Sequence, residues 1–182
     1  DAMTDIGEKF STEYQVVTLI KSNDVISNST FVDMLELEIA FTNDEDIDLS
    51  KISAIKTNSD EIKILTGLDG DDAMKFLQRK GIENVILTDK QNISLLSENK
   101  IYSITLPDIE LNDTTGIGDI FSATFCCTML KEKDVLWALS FASGAAQAAL
   151  ENGQIGLEKI PPKGAIESNA YYFYNTIKFK EI

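Results

Sequence analysis

The sequence predicts an α/β fold, with three α/β/α layers around a mostly parallel sheet. After residue 50, short apolar runs typical of strands alternate with longer segments whose apolar residues recur at helical spacing. A glycine-containing turn at residues 113–118 leads directly into one of these helical segments. Strands that alternate with helices are typical of a sheet covered by helices on its faces.

The first 50 residues have weaker patterns. Residues 14–20 are predicted as a strand, and residues 31–41 as a strand or a helix. Residues 43–48 form an acidic segment that we interpret as a solvated loop. This part of the chain therefore contributes little to the prediction of the fold.

The strands after residue 50 are predicted from short apolar runs rich in β-branched residues. Residues 52–56 and 84–88 are each predicted as a strand, the second one buried. Residues 93–97 and 101–105 are predicted to form a hairpin around residues 98–100.

Five segments are predicted to be helical from the spacing of their apolar residues. They are residues 60–65, 70–80, 116–130, 134–150 and 165–177. The fourth carries alanine at five positions of one face, which predicts close packing against a neighbouring element. The last follows two consecutive prolines, which interrupt the helical pattern.

Composition excludes several classes of function. The chain has 182 residues, 43% of them hydrophobic, which is sufficient for a core, and a net charge of −14. An acidic chain is a poor partner for nucleic acid or an anionic membrane, since both require basic patches. Histidine does not occur, so histidine bases, histidine-containing triads and histidine metal sites are excluded. No apolar run is long enough to cross a bilayer, and we expect a cytoplasmic protein.

The segment from Asp113 to Phe121 has the sequence DTTGIGDIF and is the strongest functional signal. A glycine turn at a helix start directs unpaired backbone N–H groups to one point, at the positive end of the helix dipole. The amides of Gly116, Ile117 and Gly118 are therefore predicted to bind an anion such as phosphate. A carboxylate beside a phosphate is repelled by it, so we expect Asp119 to have a separate task, which is to accept a proton from a nucleophile.

This segment resembles the D-T-x-G-A-G-D-x-F pattern of the ribokinase family, the PfkB-type carbohydrate and nucleoside kinases. Ile117 is the one departure, since the family has a small residue there. The resemblance implies ATP-dependent phosphorylation of a hydroxyl on a sugar or nucleoside, with Asp119 as the base and the three amides as the anion hole. It also implies that Asp113 and Thr115 help to hold a monovalent cation such as K⁺; stabilisation of the loop by hydrogen bonds explains these two residues equally well.

A second motif, Asn-x-x-Glu at residues 58–61, follows the first strand and precedes Leu-Thr-Gly. The same family has this motif, where it organises magnesium and its waters, which implies that Asn58 and Glu61 do so here. Oxygen ligands and retained waters are typical of Mg²⁺. The alternative is structural, because an N-cap Asn with Glu three residues later also forms a capping box.

The nucleotide side departs from the family pattern. After the strand that ends at Thr88, the family has Thr-x-Gly-x-x-Gly, whereas this chain has TDKQN without either glycine. Thr88 is still expected to contact a phosphate of ATP. Lys90 either supplies a compensating charge or is an exposed lysine beside the hairpin. The adenine is expected near residues 142–156, including Gly153, although the alanines there are explained equally well by packing.

The resemblance covers residues 51–165. The Gly-Gly motif and the β lid that bind the sugar in the family are not recognisable, so we expect the N-terminal half to be shortened or missing and the chain to be a fragment or a shortened member of the family. We therefore divide the chain into residues 1–50, a remnant of the substrate region, and residues 51–182, a nucleotide-binding and catalytic domain. Lid strands in the family often pair between subunits, which makes a homodimer one expected state.

Two other functions remain open at this point. The first is a nucleotide-binding domain that has lost catalysis together with its substrate half. The second is an α/β interaction domain in which the glycine turn is purely structural. ATP would stabilise the first against heat and would leave the second unchanged.

Overall fold

The computed structural model describes residues 18–20, 52–107 and 114–182. Within these residues six strands form one sheet, in which the order across the sheet follows the order along the chain. The strands are β1 Thr18–Ile20, β2 Ala54–Asn58, β3 Asn84–Asp89, β4 Asn92–Ser97, β5 Lys100–Thr105 and β6 Lys178–Glu181. The helices are α1 Ser59–Thr66, α2 Gly70–Arg79, α3 Ile117–Glu132, α4 Val135–Asn152 and α5 Lys163–Thr176, with a short 3₁₀ helix at Gly156–Lys159.

The α/β class is confirmed, but the expected mostly parallel pairing is wrong for the described strands. Only β2 and β3 pair in parallel, joined by the crossover through α1 and α2. The other four described pairings are antiparallel. Two-residue turns join β3 to β4 and β4 to β5, and turns this short connect only antiparallel neighbours.

Two hydrophobic clusters on opposite faces of the sheet confirm the three layers. Because side chains alternate along a strand, neighbouring residues of β3 enter different clusters. Val85 packs with residues of α1 and α2 such as Ile62 and Leu77. Ile86 packs with residues of α3 and α4 such as Phe125 and Leu139. The sheet is therefore covered by α1 and α2 on one face and by α3, α4 and α5 on the other.

The predicted helices are confirmed, with ends that differ from the predicted ones by at most two residues. The alanine face of α4 is buried, as expected. At Gly144 a Cβ atom would lie 2.7 Å from the carbonyl oxygen of Ile166 and 2.8 Å from the amide nitrogen of Ala170. The absence of a side chain at this position therefore allows α4 and α5 to approach closely.

The sequence patterns missed two short elements, the 3₁₀ helix and β6. All four residues of β6 are exposed, and charged residues flank Phe179, which packs on Tyr102 of β5 at a centroid distance of 6.2 Å. An exposed edge strand of this kind has no apolar alternation to detect. β1 lies within the strand predicted at residues 14–20, whereas the predictions for residues 31–41 and 43–48 fall outside the described residues.

Among the described helices, none combines the length and the apolar character needed to span a membrane.

Candidate functional site

The carboxyl ends of β2 and β3 bring two of the predicted residues together. The two strands run parallel, and Asn58 pairs with Thr88 across the ladder. The hydroxyl of Thr88 donates to the carbonyl oxygen of Thr57 at 3.2 Å. In α/β sheets ligands bind beyond the carboxyl ends of the strands, so these residues lie at the edge where a ligand is expected.

A capping box fixes Asn58 and Glu61 at the start of α1. The side-chain oxygen of Asn58 accepts from the amides of Asp60 at 3.0 Å and Glu61 at 2.8 Å. Oε2 of Glu61 accepts from the amide of Asn58 at 2.7 Å. The structural alternative for this motif is therefore confirmed. The box also holds a buried carboxylate at the strand end, and its role toward magnesium stays a prediction.

The glycine turn leads into α3 as predicted. Gly116 has φ 78° and ψ −5°, the left-handed conformation that residues with a side chain adopt at a cost. The amide of Ile117 donates to the carbonyl oxygen of Thr114 at 3.2 Å, and the amide of Ile120 donates to that of Gly116 at 3.0 Å. The amides of Gly118 and Asp119 lie between these two, at positions whose N–H groups have no acceptor within their own helix.

The amides predicted to form the anion hole differ in whether they are already hydrogen-bonded within the turn. The amide of Ile117 is engaged within the turn, whereas those of Gly118 and Asp119 are at the helix positions suited to a ligand. The side chain of Asp119 is exposed, and the segment is a turn followed by a helix. Asp113, which precedes this turn, lies outside the described residues.

Lys56 is a functional candidate that the sequence patterns missed. It lies on β2, and its ammonium nitrogen is 3.3 Å from the point where a Cβ of residue 118 would lie. Gly118 thus leaves room for this ammonium at the start of α3. The available signal was a lysine two residues before Asn58 in a mostly buried strand, but only the fold shows that it reaches the glycine turn.

A second ammonium contacts the same turn from another direction. Lys159 ends the 3₁₀ helix, is only 3% exposed, and donates to the carbonyl oxygen of Thr115 at 2.8 Å. Lysine is rarely buried to this extent unless it is paired. No local sequence pattern indicates this contact, because its two partners are 44 positions apart in the chain.

The turn between β3 and β4 has a glycine-like backbone conformation at Lys90. Lys90 occupies the place of the first glycine in Thr-x-Gly-x-x-Gly and has φ 54°, a left-handed conformation. It is exposed at the tip of the turn. The backbone conformation suited to glycine is therefore present at this position although the residue is a lysine.

Gly153 ends α4 in a left-handed conformation with φ 62°. The loop that follows is held by Asn152, whose side chain accepts from the amide of Gln154 at 2.8 Å and donates to the carbonyl oxygen of Lys159 at 3.0 Å. Gly153 is exposed, and its contact with adenine stays a prediction.

In the part of the chain that the structure describes, no three acidic or thiol side chains come together as direct metal ligands. A magnesium ion at this edge would therefore depend on few protein oxygens, together with waters and the phosphates of a nucleotide, which is its usual coordination beside nucleotides.

Comparison with known proteins identifies the family of this chain. Residues 12–160 match the model of the pfkB family carbohydrate kinases. The chain belongs to this family. The match extends across both of the parts predicted at residues 1–50 and 51–182, and the division between them stays a prediction.

Individual members of the pfkB family show how far the likeness extends. The ribokinase of Haemophilus influenzae is 32% identical over 105 residues, which are 54% of this chain and 34% of that protein. The ribokinase of Thermotoga maritima superposes with a TM-score of 0.61 at 20% identity, over 71% of this chain and 47% of that one. The Arabidopsis thaliana ribokinase complexed with ribose and ATP superposes with a TM-score of 0.59 at 23% identity, over 67% of this chain and 42% of that one.

A candidate ribokinase II from E. coli in complex with ATP and Mg²⁺ gives a TM-score of 0.60 at 22% identity, over 78% of this chain and 45% of that one. These likenesses confirm the ribokinase-like fold. The chain spans about a third to a half of the length of these relatives.

Proposed function

We propose that this chain phosphorylates a hydroxyl of a sugar or nucleoside with ATP as the donor. The observation that supports this best is the start of α3, where the Lys56 ammonium lies 3.3 Å from the Cβ position of Gly118 and the side chain of Asp119 is exposed. Membership of the pfkB family and the likeness to kinases solved with ATP agree with it.

Binding of the transferred phosphoryl group would use fixed dipoles and one charge. The amides of Gly116, Gly118 and Asp119 and the positive end of α3 would face the phosphate oxygens, and Lys56 would neutralise part of their charge. Groups held in place before the reaction stabilise growing charge without reorganising during it. In a chain of net charge −14, these local groups replace a general positive field.

Asp119 would accept the proton of the attacking hydroxyl. Its side chain is exposed at the first turn of α3, so an alcohol can approach it. Phosphoryl transfer depends mainly on position and electrostatics, and a carboxylate in hydrogen-bond reach of the hydroxyl is sufficient as the base.

Magnesium fits the carboxylate at the end of β2. The capping box uses Oε2 of Glu61, and we propose that Oε1, with Asn58, binds the ion through water. Bound Mg²⁺ would neutralise the β- and γ-phosphates of ATP. Thr88, beside Asn58 in the ladder, would contact a phosphate through its hydroxyl, and Gly153 would lie near the adenine.

The test is release of ADP from Mg·ATP in the presence of a panel of sugars and nucleosides. We expect release that depends on one class of acceptor and that Asp119→Asn slows by about 10²-fold or more. Release that is equal with every acceptor and unchanged in this variant would contradict the assignment of Asp119.

A second function, nucleotide binding without catalysis, is favoured by one observation. The capping box accounts for Asn58 and Glu61 structurally, without a role toward magnesium in catalysis. This function predicts that Mg·ATP raises the melting temperature while no acceptor gains a phosphate. The kinase assignment predicts the same rise in melting temperature together with transfer of phosphate to an acceptor.

A further inference from the structure

A buried lysine occupies the position at which a monovalent cation is expected. The family resemblance assigns a cation such as K⁺ to the loop that contains Thr115. In the structure the ammonium of Lys159 donates to the carbonyl oxygen of Thr115 at 2.8 Å, and the side chain is buried. This carbonyl is therefore already bound to a positive charge that belongs to the chain.

The position of Lys159 is fixed from both sides. Its own carbonyl oxygen accepts from the side chain of Asn152, the last residue of α4, at 3.0 Å, and that side chain also lies 3.4 Å from the carbonyl oxygen of Glu158. Thr115 comes directly before Gly116, whose left-handed conformation starts α3. Lys159 thus connects the end of α4 to the turn that presents the Gly118 and Asp119 amides.

A free cation does not fit beside this ammonium. Ions such as K⁺ and ammonium carry the same single charge and both seek carbonyl oxygens, so they compete for the oxygen of Thr115. Two like charges held on the same carbonyl oxygen also repel each other. The residues present therefore disagree with a K⁺ requirement.

We propose that Lys159 is the built-in cation of this site and replaces a monovalent metal ion. It acts as a positioning residue: its charge fixes the Thr115 carbonyl and thereby the conformation of the glycine turn. The proposal rests on the proposed nucleotide site, because its effect is measured through ATP. It predicts that the chain binds Mg·ATP without K⁺.

The first test compares Mg·ATP affinity of the unaltered chain in KCl and in choline chloride at equal ionic strength, by calorimetry and by ATP-induced thermal stabilisation. We expect dissociation constants that agree within about twofold. A gain of about tenfold or more in K⁺ would overturn the proposal and leave the nucleotide site intact. Absence of ATP binding in either salt would instead refute the proposed function.

The second test removes the ammonium with Lys159→Ser. We expect ATP affinity to fall about tenfold or more in choline and to recover in K⁺, Rb⁺ or NH₄⁺, which can enter the vacated volume. Recovery should be weaker with the smaller Li⁺. Lys163→Ser is the matched control, since Lys163 is an exposed lysine nearby that pairs with Glu167 at 3.3 Å, and it should show no salt dependence.

Loss of affinity in Lys159→Ser that no cation restores would show a packing role and overturn the proposal. Circular dichroism establishes whether the variant is folded. If it is not, Lys159→Arg, which retains the charge, should bind ATP equally in choline and in K⁺. A K⁺ requirement in Lys159→Arg or in the unaltered chain would equally contradict a built-in cation.

Discussion

Replacement of Lys56 by methionine tests whether the ammonium beside Gly118 binds phosphate. Methionine keeps most of the unbranched side chain and removes the charge. The ammonium lies 3.3 Å from the Cβ position of residue 118, so we expect it to form a charge-assisted hydrogen bond with a phosphate bound at this end of α3. Such bonds contribute about 1.5–3 kcal/mol, and a charge pair 4 Å apart has an upper bound of about 4 kcal/mol at an effective dielectric constant of 20.

We therefore expect Lys56→Met to weaken Mg·ATP binding by about ten- to a hundredfold. Isothermal titration calorimetry of the variant and the unaltered chain measures this difference. Adenosine has no phosphate, so its affinity should not change. Lys63→Met on α1 is the control, because Lys63 is an exposed lysine that pairs with Asp69 at 3.1 Å.

Equal ATP affinity in Lys56→Met and the unaltered chain would refute the phosphate role of Lys56. An equal loss for ATP and adenosine would refute it too, since that result indicates a general change of structure. Urea unfolding of both variants shows whether stability alone has changed.

Three further substitutions test other parts of the structure. Asp119→Asn should lower the rate of phosphoryl transfer by about 10²-fold or more while ATP affinity is retained; a rate equal to that of the unaltered chain would remove Asp119 as the base. Gly116→Ala should destabilise the chain by about 1–2 kcal/mol because of the left-handed conformation, measured by urea unfolding, and an unchanged midpoint would contradict that conformation. Gly144→Ala should lower the free energy of unfolding by about 1–3 kcal/mol, because the added Cβ would collide with α5. Gly164→Ala should lower it far less, because the Cβ position of Gly164 has open space around it. Equal losses in the two variants would argue against close packing of α4 and α5.

The helices could be predicted because their signals are local. Apolar spacing, caps and the glycine turn all lie within a few residues of the element that they define, which is why α3 and α4 were located to within two residues. The hairpin of β4 and β5 was predicted for the same reason. The pairings of β1 with β2 and of β5 with β6 could not be predicted, because these strands are distant in the chain. The antiparallel pairing of β3 with β4 follows from their two-residue turn, a local signal that the expectation of a mostly parallel sheet overlooked.

The candidate site shows the same division. The motifs that contain Asn58 and Asp119 were visible as sequence patterns with a known chemical use. Lys56 and Lys159 were not, because each becomes a candidate only through a contact across the fold. Lys56 lies beside Gly118, and Lys159 donates to Thr115. A single lysine in a strand or a loop has no local feature that indicates such a contact.

The Asn-x-x-Glu motif has a structural explanation as well as a proposed role toward magnesium. The capping box of Asn58 and Glu61 accounts for both residues structurally, yet the same hydrogen bonds hold the carboxylate at the sheet edge where a ligand is expected. The proposed magnesium role would therefore use the same geometry as the structural one. Magnesium dependence of ATP binding in Glu61→Gln, which preserves the acceptor oxygen, separates the two.

The other assignments at this site depend on binding of the ATP phosphates at the start of α3. This binding can be followed by amide chemical shifts in a ¹H–¹⁵N spectrum of this 20.1 kDa chain during titration with Mg·ATP. We expect the largest phosphate-dependent shifts at Gly118 and Asp119, and we expect adenosine not to produce them. Unchanged amide signals at both residues while ATP binds elsewhere would contradict this binding.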